Sequence, residues 1–583
     1  MRVQREVSWT IHISVALLFV VSALIIQLSY QDDPGTDELV FENWLNQKRT
    51  TFMKMYPGSQ DIISEGVADN LPTRSAGGNR EWIVELPGIV DQPGGKYCSL
   101  STPSLADLND DGMMEILISS PSDYLYALDS SGGYYWEEPY TDLNIAQLGE
   151  SGETSILDFD PPQFFSAPAH YDFGGDLGDR IFVGTSQGLL CLDDEGDRLW
   201  QKEGNGNYVF STPSITDLEG YFTNMSNYEI IVGMDDKNRQ AWLCAFDAKG
   251  NMVMEEEVIG GSEGSFIGMS VVAQDHDGDF CGDHTNSDPG FSVERDTELS
   301  FGTHDHALRI YQRQEQGGGD VEYEETTQGF LGGHQTYATH AIANVSGDRD
   351  CEIFVGSSEG YTRTWAGWGG KLYVFKPNAR RLWDYHTGSV KASIFSSPVI
   401  ADLQQSHLDP TEEILDYEVI FGADTGKLYV LNTMTHSLNW MFNTGGRVLS
   451  SPAVCNINSD DELEIIVASD SGKVFCLEGD PSDDIDHGIA YPGDGPSQDV
   501  LWVYDVNTTV GVSSPVVGDI DRDGQLEVVI GDDLGRVHCI SCGGTSTLGQ
   551  MDWPESHGNS NRTGVYHPQD TIRPDLHPEI DEN

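Results

Sequence analysis

Basic residues are scarce in this chain: 31 Lys and Arg stand against 95 Asp and Glu among 583 residues, a formal net charge of −64. That balance excludes nucleic acid and anionic lipid surfaces as partners, since both would repel it, and it favours cations. Helix-period apolar stretches are nearly missing after residue 60, which excludes helical and α/β architectures for the bulk of the chain. No His-Glu-x-x-His pair and no phosphate-binding Gly loop occurs. Gly-x-Ser-x-Gly is found at 184–188, 260–264 and 356–360, but between β-type runs, whereas a nucleophile elbow needs a strand-to-helix turn. The chain is therefore read as noncatalytic.

Long apolar runs are also few. Trp9 to Leu28 is uncharged apart from His12 and is long enough to cross a bilayer as a helix. Arg2 and Arg5 precede it and an acidic chain follows, so residues 1–8 are expected in the cytoplasm, 9–29 in the membrane and the rest outside. The alternative is secretion after cleavage of a signal sequence. Residues 30–78 read as a linker or stalk.

Nine cysteines in an exported chain permit disulfides. Yet Cys191, Cys476 and Cys539 fall at the strand position that Ala127, Val374 and Val430 hold elsewhere, and Cys455 replaces Ala106 or Ala401. That is the pattern of buried small apolar residues, so free thiols are the expectation. Histidines crowd between His276 and His340; an extended His304-Asp305-His306 would put two imidazoles on one side as a transition-metal pair.

What the chain has in abundance is repetition. Eight times it writes Ser or Thr, Pro, two or three apolar residues, then Asp or Asn, an acidic turn and a short apolar strand; the first Asp or Asn falls at 107, 172, 217, 275, 344, 402, 456 and 519. A Gly-Lys-Leu-Tyr-Val-like run follows, and several copies close on a Leu-Trp run, as at Trp200, Trp383 and Trp502. Each copy thus holds four short β runs bounded by turn residues. One such unit cannot bury its own apolar face, so copies must stack, and an all-β chain that repeats radially is a β-propeller. The eighth copy lacks a Leu-Trp run of its own, whereas Arg80 to Leu86 supplies one ahead of the first copy. The N-terminal segment is therefore expected to complete the last blade.

The acidic turns carry the chemistry. Asp107, Asn109, Asp111, Gly112 and Glu115 read D-x-N-x-D-G-x-x-E, and Asp519, Asp521, Asp523, Gly524 and Glu527 read D-x-D-x-D-G-x-x-E. Carboxylates at the first, third and fifth positions converge if the loop curls, Gly permits the turn, and the ninth position closes a cage of hard oxygens suited to Ca²⁺. An EF-hand is excluded, because its closing Glu stands at the twelfth position between helices. Weaker versions are Asn456, Asn458, Asp460 and Glu464; Asp275, Asp277, Asp279 and Asp283; and Asn344, Ser346, Asp348 and Glu352. The copies beginning at 172, 217 and 402 read as ordinary turns.

These copies resemble FG-GAP (VCBS) repeats, the units of integrin alpha-chain propellers. The resemblance implies a calcium-decorated propeller with seven blades, although eight copies here favour eight. The Leu-Trp and Gly-Lys-Leu-Tyr-Val runs, with Trp553-Pro554 and Arg562-Thr563-Gly564, are similar to the eight-bladed pyrroloquinoline quinone-type propellers, in which Trp residues dock neighbouring blades. The sequence-level expectation is an all-β propeller over 79–550 and an acidic, Pro-rich tail over 551–583. Its expected role is a membrane-anchored, calcium-binding adhesion or binding module for an extracellular protein or glycan. The alternatives are a noncatalytic scaffold in assembly of a cell-envelope complex and, last, a quinone-dependent oxidoreductase.

Overall fold

The computed structural model describes residues 78–86, 100–120, 124–136, 166–258 apart from 176, 186, 205–208, 217, 219–227 and 237–239, 270–274, 297–314 apart from 304, 322–331, 336–358 apart from 347–349, 370–403 apart from 389–391, 417–479 apart from 459–462, and 500–543. Two compact units are distinguished, Met1–Pro72 and Thr73–Asn583, and the described residues belong to the second. The expected membrane segment 9–29, nearly all of the stalk and the tail 551–583 lie outside the described residues. Among the latter, no helix is long and apolar enough to cross a membrane.

Every regular element among the described residues is a β-strand, and the strands form eight separate antiparallel sheets in chain order, the eight blades of a propeller. Blade 5 shows the pattern: Ala341–Ala343, Glu352–Gly356, Lys371–Phe375 and Arg381–His386 pair in sequence order. Burial follows from position. The second and third strands are apolar on both faces because each sheet is covered on both sides by its neighbours, whereas the outer strand alternates. Among the described residues blade 1 shows three strands where four are expected. It has Ser104–Ala106, Glu115–Ser120 and Tyr124–Leu128, and only a single bridge, Leu128 to Tyr134, stands where the outer strand runs elsewhere.

The ring closes as the sequence suggested. Asn79–Glu85 pairs with Arg536–Ser541 and becomes the outer strand of blade 8, beside Val516–Gly518 and Glu527–Gly531. First and last residues of the ring thus share one sheet.

Two devices that repeat around the ring explain the motif's other letters. In the Ser-Ser/Thr-Pro step, the second hydroxyl accepts the backbone N–H of the same position one blade earlier: Ser451 N–H to Ser514 Oγ at 2.9 Å, Ser397 to Ser451 at 3.0 Å, Thr339 to Ser397 at 3.1 Å, and across the closure Ser514 to Thr102 Oγ1 at 3.1 Å. The first hydroxyl accepts within its own blade, as Ser101 Oγ does from Ser119 N–H and Ser513 Oγ from Gly531 N–H. Pro is tolerated next to this step because the hydroxyls carry the bonding that its missing N–H cannot.

The second device is the tryptophan. All seven outer strands carry a β-bulge, and in five of them the residue just past the irregularity is Trp82, Trp200, Trp383, Trp440 or Trp502. A bulge re-aims the following side chain. Indole N–H groups of Trp82, Trp136, Trp200 and Trp440 donate to carbonyls of the next blade's outer turn, those of Ser130, Asp194, Ala248 and Gly479, at 2.9 to 3.2 Å. Trp383 instead stacks on His436 at 4.7 Å. The receiving turns hold Gly132, Gly196 and Gly250 at positive φ, where a Cβ would come within 2.9 Å of the indole. In these three turns glycine meets both demands without strain, whereas blade 6 places His436 at the same position with φ 57° and stacks its ring on the indole.

Cysteines 191, 244, 455, 476, 539 and 542 are free and buried, as expected of core positions. Cys351 is disulfide-bonded to a residue outside those described.

Candidate functional site: the acidic loops

Each acidic turn joins the first and second strands of a blade, and the glutamate that opens the second strand is buried in seven blades. Glu115, Glu229, Glu298, Glu352, Glu418, Glu464 and Glu527 are all 6 % exposed or less. A buried carboxylate is costly unless bonded. Its Oε2 accepts the N–H just after the repeat's first Asp or Asn: Leu108 to Glu115 at 2.9 Å, Leu218 to Glu229 at 2.9 Å, Val345 to Glu352 at 3.0 Å, Leu403 to Glu418 at 3.3 Å, Ile457 to Glu464 at 2.7 Å and Ile520 to Glu527 at 3.1 Å. One oxygen therefore ties down the loop's first turn. Glu229 and Glu418 open recognisable apolar strands in the sequence, but their turns read as ordinary because insertions separate them from the first Asp; the common strand register places them with the other closing glutamates. In blade 4 that register position belongs to Glu298, paired with Gln274, while Asp275, Asp277, Asp279 and Asp283 lie outside the described residues.

The remaining carboxylate oxygen distinguishes the blades. Blade 2 has Arg180 at the glutamate's register position, opposite Tyr171; in blades 4 to 6, Gln312 Nε2 reaches Glu298 at 3.4 Å, Lys376 Nζ meets Glu352 at 2.6 Å and Asn439 Nδ2 reaches Glu418 at 3.1 Å. In blades 1 and 8, whose loops match the full acidic pattern, no donor among the described residues reaches the second oxygen of Glu115 or Glu527. Asp519, Asp521 and Glu527 instead bring one oxygen each within 4.8 Å of one another.

The two full loops are near-copies. Asp107 Oδ2 accepts Gly112 N–H at 2.7 Å and Asp519 Oδ2 accepts Gly524 N–H at 3.0 Å. Asp111 N–H and Asp523 N–H each donate to the first and third residues of their loops, Asp107 with Asn109 and Asp519 with Asp521. The central Asp110 and Arg522 are both left-handed, at φ 58° and 60°. Burial is the main reason that Glu115 is pushed up to about 7 and Glu527 to about 8; the backbone bonds oppose it and the neighbouring Asp carboxylates add to it. Burial likewise raises Asp519. These loops lie side by side across the closure: Arg522 Nη1 donates to the Asp111 carbonyl at 3.1 Å and Met114 N–H to the Ile520 carbonyl at 2.9 Å. Ring closure, expected from Arg80 to Leu86, makes blades 1 and 8 neighbours, and the structure adds that their loops touch.

Elsewhere, Asn456, Asn458 and Glu464 sit in a loop whose Asp460 is outside the described residues, as is Asp348 beside Asn344, Ser346 and Glu352. A second acidic group, Asp193, Asp194 and Glu195, occupies an outer-hairpin turn in which Asp193 accepts Asp197 N–H at 2.7 Å. The histidine segment is a turn and not extended: His306 has φ 73°, and Asp305 is held by buried Arg309 at 2.5 Å, with His304 outside the described residues. Gly184 and Gly356 stand in strand-to-strand hairpins.

No protein-family model matches this chain, and no curated protein matches it. Among solved structures it is similar to quinohemoprotein alcohol dehydrogenase ADHIIG from Pseudomonas putida HK5, at 12% identity over 82% of this chain and 78% of that one, with a TM-score of 0.45. It is also similar to BamB from Moraxella catarrhalis, at 14% identity over 79% and 99% and a TM-score of 0.41. A third is the computationally designed Ika8, at 10% identity over 78% and 98% and a TM-score of 0.43.

Proposed function

We propose that this chain is a calcium-binding β-propeller that works by binding, presenting a stiff ring to an extracellular protein or glycan, with residues 9–29 holding it at a membrane. The observation that carries the cation is the free second oxygen of Glu115 and Glu527. Blades 4, 5 and 6 supply that oxygen with a proton donor, whereas in blade 8 Asp519 and Asp521 bring carboxylate oxygens within 4.8 Å of Glu527 and in blade 1 Asp111 and Asp107 are the charged neighbours of Glu115. Asp107, Asn109, Asp111 and Glu115 would hold one ion, and Asp519, Asp521, Asp523 and Glu527 the other. Calcium, when bound, neutralises the clustered carboxylates and stiffens the loops at the ring closure. Hard oxygen donors in flexible loops suit it better than Mg²⁺ or a transition metal. Binding as the role is supported by the repeated architecture, in which hydroxyl ring and tryptophan docking are spent on rigidity while insertions differ from blade to blade.

The test is calorimetric titration and thermal melting of the chain in calcium and in chelator, with Asp519→Ala and Asp107→Ala. A ligand that binds only the folded state stabilises by RT ln(1 + [L]/Kd), about 2.7 kcal/mol at a hundredfold excess over Kd. Two equivalents, one lost in each variant, are expected. Absence of any shift at millimolar calcium defeats the cation assignment. The binding role is tested by capture of cell-surface proteins and glycans; dye-linked alcohol turnover with added quinone would replace it with an oxidoreductase, and co-purification with envelope assembly machinery would favour the scaffold.

A further inference from the structure

Blade 5 has the same buried glutamate as blades 1 and 8 but meets it with a side chain. Lys376 stands one residue past the pair Ile353 and Phe375, and so opposite Glu352 in the register. The equivalent residue is Ser541 opposite Glu527 in blade 8 and Asn432 opposite Glu418 in blade 6. Its ammonium lies 2.6 Å from Glu352 Oε1, 3.4 Å from Ser346 Oγ, 3.4 Å from the Asp350 carbonyl and 4.0 Å from Asp350 Oδ2. Lys376 and Glu352 are 9% and 2% exposed, so this is no solvated surface pair. Four oxygens of the loop thus converge on one positive nitrogen.

The charges match. In blade 8 the first, third, fifth and closing positions are Asp519, Asp521, Asp523 and Glu527, four carboxylates; in blade 5 they are Asn344, Ser346, Asp348 and Glu352, two carboxylates, and it is Glu352 that the ammonium meets in the buried strand. A single buried negative charge calls for a monocation, and an ammonium on a four-carbon stem supplies one. We propose that Lys376 is an internal cation that takes, in blade 5, the place a divalent metal takes in blades 1 and 8, so that this loop is a metal site converted to metal independence by one side chain. The comparison with blades 1 and 8 rests on the calcium reading above, whereas the role of Lys376 toward Glu352 does not.

The experiment compares the full chain with Lys376→Ser, which gives blade 5 the residue that blade 8 has, and with the double variant Lys376→Met/Glu352→Gln, which removes both charges. Melting temperature is read in chelator and in millimolar calcium, the range of weak extracellular calcium modules, and bound calcium is counted by equilibrium dialysis. The expected result is that Lys376→Ser melts several degrees below the parent chain in chelator, gains more from calcium than the parent does, and binds one further equivalent. The double variant should show neither the loss of a counter-charge nor the gain. A Lys376→Ser chain that melts like the parent in chelator overturns the proposal, as does one that is weakened yet gains no more from calcium than the parent. If Lys376→Ser fails to fold even in calcium while the double variant folds, ammonium and metal are not interchangeable there, and the proposal is lost. Failure of the calcium reading looks different: the parent shows no calcium shift, whatever Lys376→Ser does.

Discussion

The hydroxyl of Ser513 donates to the carbonyl of Ser101 at 3.0 Å, between residues 412 positions apart in the chain. Beside it, Ser514 N–H donates to Thr102 Oγ1. Both bonds belong to the hydroxyl ring that runs through the other blades, so the closure uses the same joint as the interior junctions.

Thr102→Val keeps the shape at that joint and removes the acceptor. A buried donor left without a partner costs about 1–3 kcal/mol, and we expect a loss in that range by urea denaturation, with Thr102→Ser restoring most of it. Equal stability of Thr102→Val and the parent chain would mean that the ring of hydroxyls contributes nothing at the seam.

Trp82 is the closing strand's anchor, through its bond to the Ser130 carbonyl and its packing over Gly132. Trp82→Ala should cost roughly 2–4 kcal/mol, somewhat less than full truncation in a core because the side chain is only part-buried. Trp82→Phe, which keeps the ring but not the N–H, should cost about 1 kcal/mol. A Phe variant as weak as the Ala variant would refute the hydrogen bond as a minor part of the dock.

Calcium uptake should release protons. Burial first, and then the neighbouring Asp residues, push Glu115 up to about 7 and Glu527 to about 8 in the metal-free loops, so both are substantially protonated at neutral pH. Binding requires the carboxylate. Affinity should therefore rise with pH up to about 8 and level off, measured by titration in buffers of different ionisation enthalpy. A flat affinity between pH 6 and 8 contradicts this.

Asp532 gives the opposite sign. Burial alone would raise it, but bonds from His538 Nε2 at 3.0 Å, from Arg536 N–H at 2.9 Å and from the Arg536 guanidinium outweigh that and leave it lowered. Its contribution to stability is thus complete above the ordinary Asp range and is lost as pH falls through the lowered folded value. Asp532→Asn should weaken the chain at pH 7 and unfold with a shallower acid dependence below about pH 4. Parallel pH curves for parent and variant would exclude this group as a source of the acid limb.

Blade number, ring closure and the buried thiols were legible because each rests on a local pattern repeated with fixed order: Ser-Pro, acidic turn, apolar strand, Leu-Trp. Glu115 and Glu527 were legible for the same reason, nine positions into their loops. Glu298 opens a recognisable strand, but spacing alone gives the closing position to Asp283 because an insertion separates Glu298 from Asp275; the pairing with Gln274 restores the count. Lys376 escaped because its significance lies across the sheet from Glu352 and not along the chain. Arg522 and Asp111 escaped for the same reason on a larger scale, since 411 residues separate them. Among the described residues, blade 1 has a single bridge at Tyr134 where other blades have an outer strand, and the sequence there reads Tyr134-Tyr135-Trp136 in place of Leu-Trp.

The strand Asn79–Glu85 leaves the ribosome first among the described strands of the ring, yet its partner among them, Arg536–Ser541, emerges 451 residues later. At ordinary rates of synthesis that interval is about 20–90 s. Seven blades can be finished during it, but the eighth cannot, and until then an unpaired edge stands open at each end of the arc. The cell that makes this protein must shelter those two edges for the whole of that time.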